Sequence, residues 1–225
     1  LGFHGVPTPR SFTAEPGLPI RIPAGFRFPA IVKPLREGSS MGIRDDSLVH
    51  SPVLLRRRVR EIHRRYRQAA LVEVFLTGRE FSVGVLGNAP DFEVLPIVEI
   101  NHRALPPGAN PIYGYEAKWV WDDPAKPLPM LICPARVPAA LRRRIASLVL
   151  KTVAVLQVRD WCRVDVRLDA AGEPHVLELN PLPGILPDPR ENSALPAAAR
   201  AAGLTYEALI LKVAAAALRR QRRDP

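Results

Sequence analysis

The stretch Trp161–Gly184, WCRVDVRLDAAGEPHVLELNPLPG, decides the fold of this chain. Apolar and polar residues alternate from Trp161 to Leu168, which predicts a β-strand, and Pro174–Asn180 predicts a second one. Asp169–Gly172 between them has the composition of a tight turn. We therefore expect the two strands to pair as an antiparallel hairpin.

Polar side chains lie at alternate positions of both predicted strands. Side chains alternate between the two faces of a strand, so Arg163, Asp165 and Arg167 share one face. Glu178 and Asn180 share one face of the second strand. Two carboxylates and an amide oxygen, with no cysteine or histidine beside them, suit Mg²⁺, and the neighbouring arginine suits a phosphate or an oxyanion. A solvated strand face with surface ion pairs is the alternative.

The size and cysteine content bound the class of protein. A chain of 225 residues can form one large domain or two small lobes. Cys133 and Cys162 have no metal-binding or redox spacing, which favours a reducing, cytoplasmic setting. The sequence shows no membrane span and no signal peptide. Because the chain begins at Leu1, we expect an upstream segment to precede it.

The net charge of +10 favours anionic partners. Much of the excess lies in Arg56–Arg67 and Arg219–Arg223, which we predict to be solvated helix faces or a tail. These segments lack the interleaved aromatic residues of a nucleic-acid patch, so nucleic acid is the weaker prediction for a partner. A basic nucleic-acid-binding module stays open as an alternative function.

Strands and helices are segregated along the rest of the chain. The predicted strands are Pro29–Pro34, Ala70–Leu76, Glu80–Leu86 and Phe92–Ile100, and the predicted helices are Pro52–Gln68, Pro138–Leu156 and Tyr206–Leu218. Thr77–Arg79 is expected to join two of the strands by a turn, Leu1–Phe28 to be a surface entry segment, and residues 101–129 to be a long irregular region. Antiparallel hairpins without regular strand–helix–strand alternation predict an α+β fold.

Lys33 precedes the glycine- and serine-rich segment Gly38–Gly42. Glycines let backbone N–H groups approach phosphate oxygens, serine hydroxyls add donors, and a lysine neutralises charge. The lysine comes before the loop, so this is not a Walker A motif. A phosphate-binding loop and a plain surface turn both stay open.

Two further segments carry groups suited to a nucleotide. Glu73 on a strand edge can accept from an exocyclic amine, Phe75 and Leu76 can seat a base, and Glu80 can bind ribose hydroxyls. Within the irregular region, Tyr113–Trp119 carries Lys118 between aromatic residues, which suits a lid over phosphates. Exposed glutamates beside a core strand, and an ordinary anchored loop, are the alternatives.

Taken in order, these pieces resemble the ATP-grasp superfamily, and specifically the D-alanine–D-alanine ligase family. The resembling stretches are GVPTP, IVKPLREGSSMGI, LVEVFLTGREFSVGVLGN, YGYEAKW, ICPA, CRVDVRLD, LELNPLPG and NSALPAAARAAGLTYEALI. The resemblance implies two α+β lobes with antiparallel sheets that clasp ATP, after an N-terminal domain that this sequence lacks. We assign residues 1–88 to the nucleotide-binding lobe and residues 89–225 to the lobe with the lid and the metal site.

The resemblance also implies roles for the matched residues. The nucleotide contacts are Lys33 at the α- and β-phosphates, Ser40 on the loop facing phosphate, Glu73, Phe75 and Leu76 at the adenine, Glu80 at the ribose, and Lys118 at the γ-phosphate. The metal ligands are Asp165, Glu178 and Asn180 around two Mg²⁺ ions, or Mn²⁺ in their place. The catalytic set is Arg163, Ser39 and the backbone N–H of Gly184, and the substrate contacts are Trp119 and Ser193.

The activity that the resemblance implies is ATP-dependent joining of a carboxylate to an amine through an acyl phosphate, in cytoplasmic peptidoglycan synthesis. Small amino acids are the implied substrates, no membrane is involved, and a homodimer stays open. The sequence departs from the family around the acceptor, because Trp119 replaces a tyrosine, Pro181 replaces a small polar residue, and Ile185–Asn192 is longer and rich in proline. A ligase for another amino acid or peptide, and a non-catalytic nucleotide sensor, are therefore alternatives.

Overall fold

The computed structural model describes residues 1–123 and 125–223, which form two compact units. The four-stranded unit comprises Pro9–Leu76 and His102–Leu128. The six-stranded unit comprises Leu1–Thr8, Thr77–Asn101 and the chain from Pro129 onward. Each unit has its own sheet and its own core.

The four-stranded unit is an antiparallel sheet with a helix on one face. Its strands are β1 (Ser11–Ala14), β2 (Ala30–Pro34), β3 (Leu48–Val49) and β4 (Ala70–Val74), in the order β1-β4-β2-β3. Its helices are α1 (Pro52–Tyr66), the short α2 (Tyr115–Trp119) and the 3₁₀ turns Asp45–Ser47 and His102–Ala104.

Helix α1 covers its sheet because of the spacing of its apolar residues. Leu55, Val59 and Ile62 recur one turn apart, are fully buried, and pack against the sheet core. Burial of each of these side chains contributes about 1.5–3 kcal/mol. The helix begins where the Ser51 hydroxyl accepts the N–H of Leu54, and Arg67 ends it in the left-handed conformation.

The six-stranded unit is also antiparallel. Its strands are β5 (Glu80–Leu86), β6 (Glu93–Val94), β7 (Val98–Ile100), β8 (Leu131–Ile132), β9 (Trp161–Leu168) and β10 (Pro174–Asn180), in the order β10-β9-β5-β7-β8 with β6 beside β5. Its helices are α3 (Ala139–Val155), α4 (Ala194–Ala201), α5 (Tyr206–Arg223) and the 3₁₀ turn Gly2–His4.

Helices cover both faces of this second sheet. Ile145 and Val149 of α3 belong to one core cluster, while Leu195 of α4 and Leu209 of α5 belong to another. Gly84 in β5 lets α4 approach, because a Cβ there would lie 2.4 Å from Leu195 Cδ1. Among the residues that the structure describes, no single helix is long and apolar enough to cross a membrane; α4 and α5 pass that test only as a pair bent by 99°.

The α+β fold and the Trp161–Asn180 hairpin are confirmed. The prediction that Thr77–Arg79 joins two strands of one hairpin is wrong. Strand β4 pairs with β1 and β2 in the first sheet, and β5 pairs with β9 in the second. The chain crosses between units here because the Phe75 N–H bonds to the Pro29 carbonyl and the Gly78 N–H bonds to that of Leu168.

The two units therefore divide the chain differently from the boundary placed between residues 88 and 89. Residues 77–88 belong with β9 because strand β5 hydrogen-bonds along its whole length to that strand. Residues 102–128 return to the four-stranded unit.

Several elements differ from their predicted bounds. Strand β1 lies inside the predicted entry segment Leu1–Phe28, α2 lies inside the irregular region, and Phe92–Ile100 divides into two short strands. Helix α4 was not predicted, and α5 extends into the predicted basic tail as far as Arg223, whose side chain lies outside the described residues.

Candidate functional site

A β-bulge in the hairpin determines which way the polar residues of β10 face. Pairing runs from Pro174 opposite Leu168 to Val176 opposite Val166, and then shifts by one residue so that Glu178 lies opposite Asp165. Without the shift, Glu178 would face the core together with Val164, because side chains opposite one another share a face. The bulge therefore brings the β10 carboxylate to the same face as Asp165.

Contacts across the hairpin join the three predicted metal ligands. Asn180 Nδ2 lies 3.3 Å from Asp165 Oδ2 and 3.0 Å from Glu178 Oε1. Among residues 1–123 and 125–223, no group of three His, Cys, Asp or Glu side chains could hold a metal ion, since the third member here is an amide. The set still offers the hard oxygen atoms that Mg²⁺ requires, and its metal role stays a prediction.

Asp165 is surrounded by hydrogen-bond donors. Arg163 donates Nε–H to Oδ1 at 2.9 Å and Nη2–H to Oδ2 at 2.8 Å, and the Ser82 hydroxyl donates to Oδ1 at 2.6 Å. Burial alone would raise the pKa of Asp165, but the charge of Arg163 and these hydrogen bonds hold the pKa below its ordinary value. The carboxylate is therefore ionised at neutral pH.

Arg163 lies between the two carboxylates, because its Nη2 is also 3.7 Å from Glu178 Oε1. Its side chain is mostly buried, so the charge is fixed in place by the sheet. Ser82 was missed from sequence because it lies on β5, and only the pairing of β5 with β9 brings it opposite Asp165.

Glu80, the predicted ribose contact, forms an ion pair that the sequence did not reveal. Arg167 lies opposite it on β9 and donates Nη1–H to Glu80 Oε2 at 2.9 Å. Arg167 also donates Nε–H to the Gly78 carbonyl at 3.2 Å. Burial lowers the pKa of Arg167 and Glu80 opposes that shift, so this buried guanidinium orients the carboxylate.

In the four-stranded unit, Lys33 and Glu73 form an ion pair with Nζ 2.6 Å from Oε2. Strand pairing sets Ile31 opposite Glu73, and Lys33 lies two residues further along β2 on the same face. Phe75 and Leu76 follow on β4 and beyond it, and both are buried. These four predicted nucleotide contacts thus lie on the two central strands of this sheet or directly after them.

The predicted phosphate loop and the predicted lid are hydrogen-bonded to each other. The Ser40 hydroxyl donates to the Tyr113 carbonyl at 3.0 Å, and Trp119 Nε1–H donates to the Ser39 carbonyl at 3.2 Å. Lys118 Nζ lies 4.8 Å from the centroid of the Tyr113 ring. The structure therefore brings the two segments together within one unit.

Ser193, predicted to contact the substrate, fastens the loop that contains Gly184. Its buried hydroxyl donates to the Gly184 carbonyl at 3.0 Å and accepts the Leu186 N–H at 3.2 Å. Its only hydrogen is thereby used within the protein. In this conformation Ser193 acts on the position of the loop that follows β10, and its contact with substrate stays a prediction.

Comparison with known proteins identifies the family. The family described as "D-ala D-ala ligase C-terminus" matches residues 6–214. An uncharacterized protein of Sinorhizobium fredii, y4sG, is 38% identical over 209 residues, which cover 92% of this chain and 56% of that protein. The D-alanine–D-alanine ligase of Cupriavidus metallidurans is 33% identical over 221 residues, which cover 95% of this chain and 60% of the ligase. The chain thus spans less than two thirds of the curated relatives that it matches.

Solved structures show the same fold. A D-alanine–D-alanine ligase of Bacillus anthracis complexed with ATP superposes with a TM-score of 0.73 at 21% identity, covering 100% of this chain and 65% of that one. The VanG D-Ala:D-Ser ligase of Enterococcus faecalis gives a TM-score of 0.70 at 22% identity, covering 96% and 58%. The predicted ATP-grasp fold is therefore confirmed, and the chain belongs to the D-alanine–D-alanine ligase family.

Proposed function

We propose that this chain is the ATP-binding and catalytic part of an ATP-dependent ligase, which joins the carboxyl group of one amino acid, D-alanine first among them, to the amine of a second. Membership of the family and the named ligases among its relatives support the proposal. The observation that carries it is the convergence of Asp165, Glu178 and Asn180 on one face of a hairpin beside a fixed arginine.

The proposed reaction has two steps. A carboxylate oxygen of the donor attacks the γ-phosphorus of ATP, and the bond between that phosphorus and the ADP oxygen breaks. The deprotonated amine of the acceptor then attacks the carbonyl carbon of the acyl phosphate, and inorganic phosphate leaves. Neither step requires a nucleophile from the protein.

The side chains of the six-stranded unit would hold charge where the reaction develops it. Asp165, Glu178 and Asn180 would bind Mg²⁺, which when bound offsets the negative charge of the triphosphate. Asp165 is suited to this because its pKa is low and it is ionised at neutral pH. Arg163 and the Gly184 N–H would stabilise the acyl phosphate and the tetrahedral intermediate.

The four-stranded unit would bind the nucleotide. Lys33 would neutralise the phosphates, while Glu73, which shares a 2.6 Å ion pair with it, would accept from the adenine amine. Ser39 and Ser40 on their loop and Lys118 on its helix would contact phosphate oxygens, and these segments are already linked to each other. Consumption of ATP favours the cytoplasm as the setting.

Nucleotide binding tests this function without requiring turnover. We expect Asp165→Asn and Glu178→Gln each to weaken Mg²⁺-dependent ATP binding by at least about tenfold, since loss of one charge-assisted contact is worth more than about 1.4 kcal/mol. Glu173→Gln is the matched control, because Glu173 lies in the turn of the same hairpin, is exposed and pairs with Arg144. Unchanged Mg²⁺-dependent affinity in both site variants, measured by calorimetry, would reject the metal site.

A ligase for a different amino acid is the second candidate, favoured by Trp119, which is exposed and bonds to the loop through Ser39. Hydroxylamine trapping of the acyl phosphate with the intact protein across D-alanine, D-serine and L-amino acids separates the candidates. Hydroxamate from D-alanine supports the first, and hydroxamate only from another acid supports the second. ATP binding with no hydroxamate at all would indicate a nucleotide sensor, and steeply salt-dependent binding of duplex DNA would indicate the basic module.

A further inference from the structure

Arg58 is a buried cation beneath the Gly38–Gly42 loop. The sequence predicts a solvated face for Arg56–Arg67, and for Arg58 this prediction is wrong, because its side chain is 4% exposed. Arg57 and Arg60 on the same helix are exposed. A charge in such a position is retained only when hydrogen bonds and opposite charges satisfy it.

The guanidinium connects α1 to the end of the loop. Nη2–H donates to the Gly42 carbonyl at 3.0 Å and to the Ser47 hydroxyl oxygen at 3.1 Å. Nη1 lies 2.8 Å from Glu61 Oε2 and 3.2 Å from Asp46 Oδ1. Two carboxylates therefore neutralise Arg58, so it is a tie between backbone segments and leaves no excess charge for a ligand.

The loop needs such a tie because its backbone is in an unfavourable conformation. Ser39 and Ser40 have φ angles of 51° and 60°, in the left-handed region that residues with a Cβ disfavour. Gly42 has φ of 76°, and a Cβ there would lie 2.5 Å from Pro34 Cγ. Consecutive residues in this region persist only where the surroundings hold them, and such strain is found at ligand sites.

The same anchor extends to the segment after the loop. The Ser47 hydroxyl that Arg58 binds also accepts the Arg44 N–H at 2.9 Å. Asp45 accepts the Asn110 backbone N–H at 2.7 Å and its side-chain N–H at 2.9 Å. Arg58 therefore stands at the base of a hydrogen-bonded set of residues that continues into the region of the predicted lid.

We propose that Arg58 is a positioning residue, which keeps the Gly38–Gly42 loop in its left-handed conformation so that the loop can bind the phosphates of ATP. This inference rests on the proposed function. It differs from the roles of Lys33 and Lys118, because Arg58 acts through the Gly42 carbonyl and the Ser47 hydroxyl and touches no phosphate.

The test compares ATP with adenosine in two variants. Arg58→Lys keeps the charge but cannot span both acceptors with a planar fork, and Ser47→Ala removes one acceptor at smaller cost to folding. We expect the Kd for Mg–ATP to rise about tenfold and the Kd for adenosine to change less than about twofold, because the predicted adenine contacts lie on β4. Arg57→Lys, the same change at an exposed position of α1, should leave both constants unchanged.

Hydrogen exchange provides a readout that does not depend on nucleotide. The Met41 N–H bonds to the Gly38 carbonyl and the Ile43 N–H to the Ser40 carbonyl, so both amides should exchange faster in the two variants. If Arg58→Lys does not fold, Ser47→Ala alone decides. Unchanged exchange and ATP affinity, or equal loss of ATP and adenosine affinity, would overturn the inference. Failure of the parent protein to bind ATP would instead reject the proposed function, and the exchange rates would still test the anchor.

Discussion

Replacing Ser82 by alanine tests whether Asp165 is held as an anion by its neighbours. The Ser82 hydroxyl is buried and donates to Asp165 Oδ1 at 2.6 Å. A hydrogen bond to a charged group contributes about 1.5–3 kcal/mol, so we expect Ser82→Ala to lower the free energy of unfolding by about 2 kcal/mol at neutral pH. Since one pKa unit corresponds to about 1.4 kcal/mol, the pKa of Asp165 should rise by about one unit.

The pH dependence of this loss gives the sharper test. The folded-state pKa of Asp165 is below its ordinary value, so its contribution to stability is present above the unfolded-state pKa of about 3.9 and is lost as the pH falls through the folded-state pKa. The difference between the parent and Ser82→Ala should therefore shrink in acid. Urea unfolding from pH 7 downward measures the stability difference, and carboxyl NMR measures the pKa.

Thr152→Val is the matched control for this prediction. Thr152 is fully buried on α3, and its hydroxyl donates to the neutral Leu148 carbonyl at 2.8 Å. Loss of that bond should cost stability equally at every pH, because no titrating group is involved. A stability difference for Ser82→Ala that is equally independent of pH, or an unchanged pKa of Asp165, would refute the reasoning.

Two other predictions concern packing and thiol reactivity. Gly84→Ala should destabilise the protein by about 1–3 kcal/mol because its Cβ would lie 2.4 Å from Leu195 Cδ1, and a midpoint of urea unfolding equal to that of the parent would contradict this. Burial raises the pKa of Cys162 to about 12, so this thiol should react with a disulfide reagent at pH 8 only after unfolding. Prompt labelling of Cys162 in the native protein, located by mass spectrometry of a Cys133→Ser variant, would show that the thiol is accessible.

Local patterns were enough to predict the hairpin and most helices. Alternation in Trp161–Leu168 and the turn composition of Asp169–Gly172 are properties of adjacent residues, and the structure has both strands where they were expected. The helical spacing of Leu55, Val59 and Ile62 is equally local, and it places α1 within two residues of its predicted end.

Features that depend on pairing between distant segments could not be predicted in the same way. The crossover at Thr77–Arg79 resembles an ordinary hairpin turn in sequence, and only the pairing of β5 with β9 distinguishes the two. The bulge before Glu178 carries no marker residue, although it determines the face on which that carboxylate lies.

Among the arginines, burial was the property that the sequence could not supply. Arg58 lies in a run of similar residues, and its difference from Arg57 follows from the acids and carbonyls that the fold sets around it. Arg167 was expected on the same face as Asp165, but its partner Glu80 comes from a strand that was expected to pair elsewhere.

A crystal structure of the chain with Mg²⁺ and a non-hydrolysable ATP analogue tests the central claim most directly. We predict metal density within about 2.0–2.2 Å of oxygen atoms from Asp165, Glu178 and Asn180, bridging to phosphate oxygens. Anomalous scattering from Mn²⁺ at the same position would identify the metal. Nucleotide bound with its metal away from these three side chains would contradict the claim.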